Sequence, residues 1–322
     1  MTDQGPANWE RAILEKVALK AIEEQRRARQ WGALFKLLWF VVVFLVIAAW
    51  LGWVGKPDKD QVASTGKHTA LVELEGVIAP EGKASAERMI KGLNRAFKDS
   101  GTQGVVIRIN SPGGSPVQAG YINDEVKRLR AKYPSIPVYA VVEDLCASGG
   151  YYVAVSANKI FVDKASLVGS IGVILGTFGF TGTLEKIGAE RRVYASGPNK
   201  DFLDPFLPEN PAHREHAQKM IAEIQQQFVS VVREGRGNRL KETPEMFSGL
   251  IWTGERSIEL GLADGLGSLD YVAREVIKAE KIVDYTPEDN VFETLSKRFG
   301  TSFGESLGRS AVESAHRSLE MR

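Results

Sequence analysis

The sequence has one cysteine and four histidines, and no long run of lysine and arginine. Cys146 alone excludes an internal disulfide and a thiolate metal cluster. His68, His213, His216 and His316 show neither the HExxH pattern nor a Cys/His spacing suited to zinc, so no metal and no cofactor are expected. A net charge of +1 without a concentrated basic stretch gives no footing for nucleic acid. Charge is also missing from residues 37–54, LLWFVVVFLVIAAWLGWV, a run about long enough to cross a bilayer at ~1.5 Å per residue.

What is present falls into five stretches. Residues 1–36 form a cytoplasmic segment, in which Trp9, Ile13, Val17 and Ala21 recur at i+4 spacing and imply an amphipathic helix over 8–30. Residues 37–54 form a transmembrane helix with tryptophans near both ends, where an indole favours the interface. Arg26, Arg27, Arg29 and Lys36 precede it, whereas the mixed KPDKD follows, so the N-terminus is expected in the cytoplasm. In a Gram-negative type of cell this places the rest beyond the inner membrane. Residues 55–67 are a polar linker, 68–282 the folded domain, and 283–322 a polar tail.

Within 68–282 apolar strand patterns alternate with amphipathic helix patterns: TALVELEGVI, SAERMIKGLNRAFKD, GVVIRIN, PVQAGYINDEVKRLRAKY, PVYAVVED and KIFVDK. Such alternation predicts an α/β fold with a parallel sheet. A long helix is expected from Pro211 to about Arg233.

Two glycine-bearing turns follow strands in this pattern. In DLCASGGY, Ser148 stands between a strand and a helix, where the helix dipole and free N–H groups favour a forming alkoxide. The competing role is a helix N-cap, worth ~1 kcal/mol. In NSPGGS, Gly113 and Gly114 can present N–H groups to a carbonyl oxygen, or merely turn the chain. Both turns sit at the carboxyl ends of strands, the edge where open α/β sheets bind ligands. No histidine is well placed as a base. A buried lysine can replace it; lysines are plentiful, and Lys200 stands out in the loop YASGPNKDFLDPF.

Taken with NSPGG at 110–114, DLCASGGYY at 144–152, GSIGVI at 169–174 and SGPNKDFLDPF at 196–206, the chain resembles the SppA-type signal peptide peptidases over about residues 68–280. That resemblance implies a ClpP/crotonase-like fold and a serine endopeptidase with a Ser-Lys dyad acting on remnant signal peptides or other hydrophobic peptides at the membrane. It makes Ser148 the nucleophile, Lys200 the general base and Ser170 the hydroxyl that orients the lysine. Gly113, Gly114 and Gly149 become candidate oxyanion donors. Members often carry an aromatic residue or histidine before the lysine, where this chain has Asn199. Since the chain holds one copy of the unit, the resemblance implies a homo-oligomeric ring; serine and lysine meet across a subunit boundary in short members, and whether Ser148 meets Lys200 of its own chain or of a neighbour stays open. Three alternatives stay open: a stomatin-associated membrane serine protease, a crotonase-like acyl-CoA enzyme, and an inactive membrane scaffold. Cys146, two residues before Ser148, reads as a small buried apolar residue.

Overall fold

The computed structural model describes residues 7–50 and 66–287, which form two units divided between residues 62 and 63. The first is a single helix, α1 (Ala7–Trp50). Its stretch Glu24–Ile47 is long and apolar enough to cross a membrane. The sequence suggested an amphipathic helix followed by a separate apolar one; the two are continuous. Nothing between Gln30 and Leu37 interrupts the backbone ladder except Gly32, and one glycine costs a helix only about 1 kcal/mol. Residues 51–54 of the expected span, the linker up to residue 65 and the tail from 288 lie outside the described residues.

The second unit is built on an eight-stranded sheet. Its chain order is β1 (His68–Glu75), α2 (Ala86–Lys98), β2 (Thr102–Ser111), α3 (Pro116–Lys132), β3 (Val138–Ala147), α4 (Gly149–Ala154), β4 (Lys159–Val162) and β5 (Leu167–Gly169). There follow α5 (Thr181–Lys186), α6 (Pro211–Arg236), β6 (Ile251–Thr253), α7 (Gly254–Glu259), β7 (Gly265–Leu266) and β8 (Ile282–Asp284). The central path runs β6-β5-β3-β2-β1-β8, and every pairing is parallel except β5 with β6. The α/β parallel sheet is thus the fold that the alternating pattern predicts. β8 continues through residue 284 and Tyr285 is buried, so the sheet's own residues reach a little past 282.

The two helices that the pattern places best show why it works. In α2, Met89, Leu93, Ala96 and Phe97 form one buried stripe, and Ser85 caps the helix by accepting from the Arg88 N–H. In α3, Ser115 caps, Pro116 occupies the first turn, and Ile122, Val126 and Leu129 face the core. Period-two alternation splits the strands between two apolar clusters. Val72, Leu74, Ile107, Ile109, Ala140 and Val142 pack on one face with the helices. Leu71, Val106 and Val141 face the other, with Phe161 and Val272.

What positions the site is the strand β3, which forks. Its first half, Tyr139 to Val141, pairs with β4, and its last three residues pair with β5. The register against β2 slips between Ile109 and Ser111, which pair with Val142 and Cys146 respectively, so β3 bulges just before its carboxyl end. That bulge turns the end of β3 toward β5 and leaves Ser148 at the sheet edge.

Candidate active site

Ser148 follows β3 directly and precedes α4, with φ 52° and ψ −121°. A serine in this region of backbone space is strained by about 1–3 kcal/mol, a cost that packing must impose. The packing is visible. The Ser148 N–H donates to the Gly169 carbonyl (2.8 Å), and its carbonyl accepts from the Tyr152 N–H (3.0 Å). The hydroxyl makes no capping bond to α4, although serine is a favoured cap. Its position therefore serves something other than the helix.

Against this elbow lies the 110–115 turn. Gly113 and Gly114 have φ of 93° and 144°. A Cβ on Gly113 would come within 2.6 Å of the Gly149 nitrogen and 2.7 Å of the Ser148 Cβ; one on Gly114 would reach the Ile78 carbonyl at 2.1 Å. The turn is clamped by its neighbours. Gly76 N–H donates to Asn110, the Ser111 hydroxyl to Gly76, Ile78 N–H to Gly113, and Ser115 N–H to Ile78. The motifs alone did not reveal this clamp, because residues 76–78 carry no signature of their own.

The three oxyanion candidates differ in what their N–H groups do. The Gly113 N–H donates to the Ser111 hydroxyl (3.1 Å). Those of Gly114 and Gly149 have no acceptor among the described residues, and a Cβ built on Gly149 would lie 3.4 Å from the Gly114 nitrogen. Two free donors beside a free hydroxyl can hold a carbonyl oxygen while its carbon is attacked.

Ser170 stands next to Ser148. Ala147 and Gly169 are register partners in parallel strands, so the two serines are each one residue beyond a paired position. Ser170 also has positive φ, 50°, and its N–H is held by the Leu250 carbonyl (2.7 Å). Lys200 is exposed, lies in the loop between α5 and α6, and is not among the described residues that line the groove holding Ser148. His213, 6% exposed at the start of α6, grips that loop on both sides of Lys200. Its Nε2 lies 3.2 Å from Asn199 Oδ1 and 4.0 Å from Asp201 Oδ1, and its ring packs edge-on against Phe202. His68 is buried, its Nε2 3.0 Å from the Tyr285 hydroxyl and 3.3 Å from that of Thr102. Burial pushes the Cys146 thiol up, so it is no competing nucleophile.

The groove itself has a cavity volume of about 560 Å³. One wall comes from α3, another from Gly172 to Leu175, and a third from Met220, Ile221, Ile224 and Phe228 on α6. The last four have helical spacing in the sequence, yet nothing in one dimension says that this stripe faces a cavity.

Residues 130–283 match the model of peptidase family S49, a span that includes Ser148, Ser170 and Lys200 and begins after the NSPGG turn. A protein of Synechocystis sp. described as a protease is 35% identical over 205 residues, covering 64% of this chain and 72% of its own. The chain belongs to peptidase family S49. The S49 chain is also similar to a signal peptide peptidase SppA named in Enterococcus faecium, 29% identical over 231 residues, covering 69% of this chain and 67% of that protein. It is 46% identical over 177 residues, 55% of its length, to a Brucella melitensis protein named as the Na(+)/H(+) antiporter NhaA. It spans only 24% of that much longer protein.

Proposed function

We propose that this S49 chain is a membrane-anchored serine endopeptidase that cleaves remnant signal peptides or other hydrophobic peptides. The observation that carries the reading is the strained, uncapped Ser148 beside the free N–H groups of Gly114 and Gly149. In the proposed reaction Ser148 Oγ attacks the scissile carbonyl carbon as its proton passes to a neutral Lys200 amine. The N–H groups of Gly114 and Gly149 hold the developing oxyanion; one such donor is worth about 2.7–4 kcal/mol of barrier. Lys200 returns the proton to the departing amine, and water then releases the acyl group from Ser148 by the same route. Ser170 orients the lysine amine.

Because Lys200 is exposed and does not line the groove of its own chain, the dyad is assigned to two neighbouring copies in a closed ring. Burial in such an interface would disfavour the ammonium and ready the lysine as a base. Exposed apolar side chains between residues 174 and 194 support this: Ile174 is 94% exposed, Phe178 78% and Tyr194 92%. The basic flank of the apolar span supports a cytoplasmic N-terminus, with the peptidase beyond the inner membrane. Labelling with a fluorophosphonate and cleavage of an apolar peptide test the reading together. Wild type should do both, and Ser148→Ala neither. Unlabelled Ser148 in protein that cleaves nothing would overturn it.

A further inference from the structure

The groove beside Ser148 is mostly apolar along its walls, with Gln227 and Asp124 among its polar lining residues. Asp124 is the only acidic or basic residue among the described residues that line it. This carboxylate is exposed and has no cation within ion-pair distance among the described residues. Lys127, one helical turn further on, is already engaged with Glu234 (2.8 Å). Both carboxylates act on Tyr152: desolvation first, and then Asp124 and Glu234, push its phenol up. Tyr121 and Tyr152 line the groove together with Asp124.

Helix geometry places this end relative to the chemistry. Pro116, Val117, Gly120, Tyr121 and Asp124 form one stripe of α3 facing the groove. Pro116 follows the 110–115 turn, so Asp124 lies eight residues along the axis, about 12 Å from the oxyanion end. An extended peptide advances about 3.3 Å per residue, so that distance corresponds to roughly three or four residues. Opposite, residues 172–175 belong to no helix or strand and offer backbone along which such a peptide can lie.

Resting on the peptidase reading, we infer that the groove takes an extended apolar peptide carrying a basic side chain three or four residues from the scissile bond, held by the Asp124 carboxylate between two tyrosine rings. An ammonium or guanidinium there gains a counter-ion and aromatic faces, whereas an acidic side chain meets like charge. The test uses the full chain in detergent micelles and apolar fluorogenic peptides, each with a single lysine, glutamate or norleucine moved through the positions on both sides of the bond. In wild type, lysine at one position should raise kcat/KM by roughly three- to tenfold over norleucine, as a partly desolvated ion pair permits. Asp124→Asn should remove that preference, and Asp124→Lys should transfer it to glutamate at the same position. Fluorophosphonate labelling of Ser148 verifies that each variant is folded. Cleavage with no lysine preference in wild type, or a preference that persists in Asp124→Asn, overturns this inference alone. Failure of wild type to cleave any of the peptides overturns it together with the peptidase reading.

Discussion

If Ser148 and Lys200 come from adjacent copies, two inactive variants should restore one another. Ser148→Ala keeps a working lysine and Lys200→Ala a working serine, and each alone forms rings without a complete dyad. In a ring assembled from equal amounts of the two, a site is complete when a chain with the serine is followed by one with the lysine. Random assembly makes that about one quarter of all sites, whatever the ring size, because each site has one serine donor and one lysine donor. The two proteins are to be mixed in detergent below the assembly concentration, concentrated, and assayed for turnover of an apolar peptide. About a quarter of wild-type activity is expected, and both unmixed variants should be silent. Since Lys200 lies outside the groove of its own chain, the alternative of a dyad within one chain requires the 196–206 loop to relocate. It yields no activity at any mixing ratio. Verified mixed rings without turnover would refute the shared site.

Further outcomes follow from the packing. Gly113→Ala should abolish peptide turnover, since its Cβ would meet the Ser148 Cβ and the Gly149 nitrogen at a φ of 93°; circular dichroism should show the sheet retained. Arg236 is 1% exposed and donates from Nη1 and Nη2 to Asp264 (2.8 and 2.9 Å), so Asp264→Asn should cost about 3–5 kcal/mol in urea unfolding by leaving that charge without its partner. Burial pushes the Asp264 carboxyl up, but bonds from Arg236 and the Ile160 N–H, with the Arg239 charge, outweigh it and hold it below the usual range. Its contribution is therefore complete above about pH 4 and lost as pH falls through the depressed value, and the gap between wild type and Asp264→Asn should close in that acid range. Cys146 should resist iodoacetamide at pH 8 until denaturant unfolds the sheet; rapid alkylation of native protein would contradict its burial. His213→Ala should lower kcat with little change in KM, because it frees the loop on both sides of Lys200 without touching the groove; equal loss in both constants would point to a general packing role.

The sequence by itself determined the elements and the motifs, because those depend on neighbours in the chain. Alternation of apolar residues set the strands, spacing at three and four set α2 and α3, and Ser85, Ser115 and Pro116 set where they begin. The apolar span was legible for the same reason, although its continuity with the preceding helix was not. Tertiary structure alone shows how Ser148 is held. That hold comes from the Gly169 carbonyl, the 110–115 turn and the clamp from residues 76–78, all distant in sequence. It likewise separated Gly113, whose N–H is used within its own turn, from Gly114 and Gly149, whose N–H groups are free. That Lys200 does not line the groove and that Asp124 does depend on how α3, α6 and the loop before α6 are folded together. No local pattern records those relations, since the residues that create them share a cavity and not a stretch of chain.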